Sequence, residues 1–160
     1  MRRQNTRALL IWFVVGAALS VSAGMFFEHE QPRAEKVKIP RDGVLRTAEA
    51  QVGRHPHDAL DPTTPLGASI KLRMGAFFER FRERLIVASA VTREGAYIVG
   101  SGNLPHSGGI DTAAFAIDQN RDTLVAIWQE DQRLFLFGVD RVDQLPEPLK
   151  KIDWVDSERR

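Results

Sequence analysis

Twenty residues from Ala8 to Phe27 carry no charge and are mostly apolar, and three arginines, Arg2, Arg3 and Arg7, precede them. At about 1.5 Å of rise per residue, such a run makes roughly 30 Å of helix, which matches the hydrocarbon thickness of a bilayer. The flanks give a direction, because arginines stay cytoplasmic while Glu28 and Glu30 stand at the other end. The chain therefore divides into a cytoplasmic start (1–7), a transmembrane signal anchor (8–27) and an exported remainder. Val21-Ser22-Ala23 also fits a cleavage site, so removal of residues 1–23 and secretion is the alternative. Apolar residues resume at Met25, Phe26 and Phe27, which favours the anchor. Within the span Gly16, Ser20 and Gly24 recur every fourth residue on one helix face, a route to homo-oligomers through close helix packing.

Charge and cysteine content then exclude classes. Without Arg2, Arg3 and Arg7 the exported part has 19 basic against 21 acidic residues, so it is not a nucleic-acid binder by charge. It has no cysteine, so disulfides cannot hold it together and an ordinary hydrophobic core must. Arginine outnumbers lysine 17 to 5, consistent with a GC-rich genome and a bacterial envelope. The expected location is the bacterial inner membrane, with the C-terminal domain in the periplasm or outside the cell.

Residues 28–63 contain prolines at 32, 40, 56 and 62, many charges and isolated apolar residues such as Val37, Ile39, Val44 and Leu45. Neither a period of 2 nor one of 3.6 persists there, which predicts an extended linker. The pattern changes at Thr64, a helix cap followed by Pro65. Leu66, Ile70, Met74, Phe77, Phe78, Phe81 and Leu85 recur at spacings of three and four, predicting one long helix with Gly75 as a kink. Lys71, Arg73, Arg80, Arg82 and Arg84 fall opposite them, a basic and solvated outer side.

Strand patterns follow. Leu85 to Val91 and Ala96 to Val99, separated by Thr92-Arg93-Glu94-Gly95, read as a hairpin. Three more runs are Ala113 to Ile117, Thr123 to Gln129 and Arg133 to Val139, with short polar breaks that favour antiparallel neighbours. Ala114 and Ala116 share one face, leaving room for a helix, while Leu134-Phe135-Leu136-Phe137 is apolar on both sides, so that strand should be central or covered. Asp143 as a cap, Pro146 in the first turn and Leu145, Leu149, Ile152 and Val155 on one side suggest a last helix, with Trp154 completing its packing. The fold class is α+β. A small domain at 64–155 holds a roughly five-stranded antiparallel meander, one helix before it and one after it, with the helices on one face and a tail at 156–160.

Two segments offer chemistry. His55-Pro56-His57 could place two imidazoles on one side of an extended backbone, but a metal needs a third fixed ligand and the segment falls in the predicted linker. The glycine-rich stretch from Gly100 to Asp111 gathers Ser101, Asn103, His106, Ser107 and Asp111. A serine–histidine–aspartate relay would need His106, Ser107 and Asp111 in one hydrogen-bonded chain, without the G-x-S-x-G elbow that usually exposes a nucleophile. A strand rather than a helix follows the glycines, so they form no phosphate cradle, and their plainest role is to let the chain cross between non-adjacent strands. Ser101, Asn103, His106 and Ser107 are then the candidates for a binding loop.

No cofactor is expected. The reading that follows is an anchored, non-enzymatic accessory or adaptor subunit of an envelope complex, whose partners are the bilayer and another protein. The alternative is a small exported ligand-binding domain or hydrolase that uses the 100–111 loop.

Overall fold

Strict alternation of side chains fixes the sheet. In the computed structural model, which describes residues 43–107 and 110–154, β3 (Tyr97–Asn103), β4 (Thr112–Asp118), β5 (Thr123–Glu130) and β6 (Arg133–Phe137) pair antiparallel in chain order. Two short strands, β1 (Val87–Ala88) and β2 (Thr92–Glu94), both pair along the other side of β3, completing six strands. Thr92, Arg93 and Glu94, expected in a turn, are strand residues. Glu94 faces Tyr97, so the turn is Gly95-Ala96, and Gly95 supplies the positive φ of 62° that the twist of a two-residue hairpin demands.

β4 divides the core. Ala113, Phe115 and Ile117 point to one face with Leu124, Ala126 and Trp128 of β5, and Ala114 and Ala116 point to the other with Val99 and Ile127. The first face is covered by Ile70, Met74, Phe78, Phe81 and Leu85. These belong to α2 (Pro65–Met74), α3 (Phe78–Glu83) and the residues just after α3. The second is covered by Leu145 and by Leu149 of α4 (Glu147–Lys150), with Ile152 and Trp154 half-buried beside them. Helices thus lie on both faces, not on one. The small side chains of Ala114 and Ala116 admit α4, as their alternation suggests.

The single long helix is two. Thr64 does cap α2, its hydroxyl accepting from the Gly67 N–H at 3.1 Å, with Pro65 at the first position. Gly75 then takes φ 58°, ψ −130°, outside any helix, and the chain passes through a 3₁₀ turn (Gly75–Phe77) before α3 begins. The basic outer side is not simply solvated. Arg73 turns inward to Asp122 (3.7 Å), Arg82 Nε donates to the His57 carbonyl (3.1 Å), and Arg84 is buried. At the C-terminal end Asp143 does not cap. It pairs with Arg141, whose hydrogen bond holds its carboxyl below the usual range, and Pro146 occupies the position before α4.

The largest departure lies in residues 43–63, which are not an extended linker. A 3₁₀ helix (Val44–Gln51) buries Leu45 and Ala48 completely. The one-turn helix α1 (Pro56–Ala59) buries Pro56 and Ala59, and Leu60 follows into the core. The prolines at 56 and 65 start helices here rather than preventing them. The segment is latched by Asp122, whose Oδ2 accepts from the Gly43 N–H at 3.2 Å, and by Gln119, whose amide donates to the Arg46 carbonyl at 2.9 Å. The described residues all fall in one compact unit, Ile39–Arg160. The remainder of the predicted linker and the span from Ala8 to Phe27 with Gly16, Ser20 and Gly24 lie outside the described residues, as does Val155. Among the described residues no helix is long and apolar enough to cross a membrane.

These contacts set three expectations. Leu45→Ala should cost about 2–5 kcal/mol in urea unfolding, where a linker residue would cost nothing. Gly67→Ala should destabilise by at least about 2 kcal/mol, because a Cβ there would stand 2.0 Å from the Asp61 carbonyl oxygen. Asp61 Oδ1 accepts from the backbone N–H (2.8 Å) and the hydroxyl (2.7 Å) of Thr63, and the backbone bond foremost holds its carboxyl below the usual range. A carboxylate with a pKa lowered on folding stabilises above its unfolded value and loses that as pH falls through the folded one. Asp61→Asn should therefore be less stable than the parent at neutral pH, and the gap in melting temperature should narrow below about pH 4.

Candidate functional site

The stretch from Gly100 to Asp111 divides once it is folded. Gly100, Ser101, Gly102 and Asn103 belong to β3 and pair with Phe115, Ala114, Ala113 and Thr112 of the adjacent strand. The segment is a hairpin connection between neighbours, not a crossover between distant strands. Its first glycines are present for close approach. A Cβ on Gly100 would meet the Phe115 ring at 2.5 Å, and one on Gly102 would meet Ala88 Cβ at 2.9 Å and Leu85 Cα at 3.0 Å.

The loop proper runs from Leu104 to Asp111. Its ends are joined by the Leu104 N–H, which donates to the Asp111 carbonyl at 2.9 Å. The Leu104 carbonyl then accepts from three donors: the Ser107 hydroxyl (2.8 Å), the Ser107 N–H (3.3 Å) and the Asn103 side-chain amide (3.3 Å). Ile110 N–H donates back to the Ser107 carbonyl at 3.1 Å. With no cysteine in the chain, these hydrogen bonds tie together the described residues on either side of Gly108-Gly109. His106 stands within this frame with φ 62°, a left-handed conformation that costs a non-glycine residue roughly 1–2 kcal/mol, and its side chain is exposed.

The candidate relay is not assembled. Ser107 commits its hydroxyl to Leu104, while Asp111 Oδ1 accepts from the Asp131 N–H (3.4 Å) and lies 3.9 Å from Arg84 Nη2. Of the four binding-loop candidates, Ser101 and Asn103 are half-buried strand residues and Ser107 is an internal brace. His106 alone among them is presented to solvent. Exposed apolar residues stand at the same end of the sheet: Ile110 in the loop, and Ile86 with Val87, the latter paired across from Asn103.

Clefts of about 450, 330 and 260 Å³ are lined by other residues. The first two flank Tyr97 and Glu147, and the third lies among Arg80, Glu130, Asp131, Arg133 and Phe135. None has residues 100–111 in its lining, so the concave pocket with an inward His106 that an enzyme or small-ligand site calls for is not formed by these clefts. His55 caps α1 through its carbonyl, which accepts from Asp58 and Ala59. His57 Nδ1 lies 3.3 Å from Arg82 Nη2 and 3.5 Å from Asp58 Oδ1. Among the described residues no group of three or more histidine or carboxylate side chains is placed to hold a metal ion.

Arg84, expected on the solvated outer side of the helix, is buried instead. It sits next to Leu85 and three positions after Phe81, on the border of the apolar face, and that spacing was the available signal that it turns inward.

The described part of the site is therefore a hydrogen-bonded connection that exposes one imidazole at the end of the sheet where Ile86, Val87 and Ile110 are also exposed. Neither a curated protein nor a solved structure matches the chain. One protein-family model does match, over residues 65–159, more than half of the chain and inclusive of the whole loop. The chain belongs to the family described as inhibitor of vertebrate lysozyme (Ivy).

Proposed function

We propose that this chain inhibits a lysozyme by placing the Leu104–Asp111 loop in the enzyme's substrate cleft, with His106 against the catalytic carboxylates. The family is one of exported inhibitors that act by binding another protein. The observation that carries the finer reading is His106, held at φ 62° on a braced loop and exposed. A glycosidase cleft is concave and keeps two carboxyl groups beside the scissile bond. Its complement is a narrow convex element whose tip donates hydrogen bonds to carboxylates, and imidazole does so. The bracing lowers the entropy lost on binding, because the loop has its shape before it meets the partner. Ile110, Ile86 and Val87 supply apolar area around the polar tip, the usual anatomy of a protein interface.

The hydrolase alternative draws less support, since the Ser107 hydroxyl donates to the Leu104 carbonyl and Asp111 Oδ1 accepts from Asp131. An accessory role in an envelope complex rests on the N-terminal span and spacer. An anchored inhibitor keeps its coarse content, an exported protein that works by contact.

Purified chain should slow release of soluble fragments from peptidoglycan by a vertebrate lysozyme. His106→Gly should weaken that inhibition by about a hundredfold, the size of a hot-spot loss. Its unfolding free energy should stay within about 1 kcal/mol of the parent, because relief of the left-handed strain offsets the added chain entropy. Undiminished inhibition by this variant, or none by the parent, would defeat the reading. For the anchor, membrane fractionation with intact-mass measurement should find the chain in the membrane with residues 1–27 present; a soluble chain that starts at Gly24 would remove it.

A further inference from the structure

We propose that Arg84 is a positioning residue that, through Asp111, sets the angle of the Leu104–Ser107 segment carrying His106; the proposal rests on the reading of that segment as the partner-binding element. Its guanidinium is buried, with 6 % of the side chain exposed, and every nitrogen has a direction to serve. Nε donates to the Gln129 carbonyl (3.2 Å) and Nη1 to the Arg80 carbonyl (2.6 Å), which fixes the plane of the group between α3 and β5. Nη2 is then aimed at two carboxylates, Glu130 Oε1 at 3.0 Å and Asp111 Oδ1 at 3.9 Å. A planar fork with donors in several fixed directions can do this, and the single ammonium of lysine cannot.

Asp111 is the last residue of the loop, and its backbone and side chain do different work. The carbonyl accepts from Leu104, while Oδ1 accepts from the N–H of Asp131 in the β5–β6 turn and forms an ion pair with Arg84 at 3.9 Å. That turn has φ 49° at Asp131 and 64° at Gln132, the left-handed pair of a tight hairpin, so it is itself a rigid stop. The path from the core to the presented imidazole is thus short: Arg84, Asp111, Leu104, Ser107 and His106. Glu130 has a second cation in Arg80, so it keeps a partner when Arg84 engages Asp111. The guanidinium remains compensated in its buried site, as a buried charge must be.

The test uses the purified chain and its Arg84→Lys, Asp111→Asn and double variants. Inhibition of a vertebrate lysozyme and hydrogen exchange of the Leu104 amide are both followed. Each single change should weaken inhibition about tenfold and speed Leu104 exchange about tenfold. The double variant should be no weaker than either single, the mark of residues that act through one contact. Asp111→Asn keeps the size of the side chain and leaves the core untouched, so its melting temperature should stay close to the parent's and exclude general unfolding as the cause. Losses that multiply in the double variant, or a Leu104 amide that exchanges at the parent rate in Asp111→Asn, would overturn the proposal. If the parent chain fails to slow lysozyme, the function proposed above falls, while the Leu104 exchange still decides whether Arg84 orders the loop.

Discussion

β4 is shielded from solvent on both faces, and that constraint organises the molecule. Six of its seven residues, Ala113 to Asp118, are buried. Such a strand must find backbone partners on both edges and apolar cover on both faces, because an unpaired amide or a bare side chain there would meet no water. β3 and β5 supply the first requirement along its whole length. The second splits the helices: the larger cavity above Phe115 and Ile117 takes α2, α3 and the segment from Val44 to Leu60, and the shallow face of Ala114 and Ala116 takes only Leu145 and the single turn of α4. Trp128 anchors the larger side, stacked on Phe135 at 5.1 Å and edge-on to Phe81 at 5.9 Å. The asymmetry of the two layers follows from side-chain volume along one strand.

The hydrogen-bonded frame around His106 follows from the same strand. Because Asn103 and Thr112 are still paired, the loop leaves the sheet from two fixed points. A glycine-rich sequence suggests freedom, yet Gly100 and Gly102 lie below the loop, where Phe115, Ala88 and Leu85 leave no space for a side chain. Residues 104–107, the part that carries His106, contain no glycine. The left-handed backbone of His106 persists because Ser107 on one side and the Leu104 carbonyl on the other over-determine it. Strain held in place this way keeps one side chain presented without a disulfide.

How much of this was legible depends on which period a segment follows. β4 alternates small and large side chains, and β5 and β6 are apolar runs between short polar breaks, so all three were readable to within two residues at their ends; Thr64, Pro65 and Gly75 marked the start and break of α2 by their own chemistry. The Val44–Gln51 helix was not readable with the same tools. A single buried pair at i, i+3, Leu45 and Ala48, is too short a run to establish a helical face, and a 3₁₀ helix repeats every three residues rather than continuing at 3.6. β6 was expected to be central or covered, because all of Leu134 to Phe137 is apolar. It is an edge strand, half-buried because both layers reach it, Phe135 and Phe137 on one side and Leu134 and Leu136 on the other. At the candidate site, composition singled out His106, Ser107 and Asp111 together, but it could not say that Ser107 is bonded to Leu104 and Asp111 to Asp131. That depends on which backbone groups they meet, and Arg84 and Asp131 are distant in sequence.

The family match begins at residue 65, whereas the packed core begins at Gly43, and the difference has a physical meaning. α2 buries Leu66, Ile70 and Met74 on the side that faces the sheet, and a helix against a sheet leaves a flank open. Here residues 43–63 close that flank: Leu45, Ala48 and Leu60 are completely buried, and the Asp61 carbonyl is pressed so closely on α2 that only a glycine fits at position 67. The same segment reaches the β4–β5 turn through Asp122 and Gln119, away from the loop that carries His106. The matched region holds the sheet and the 104–111 connection, and the preceding segment seals the core that keeps β4 dry.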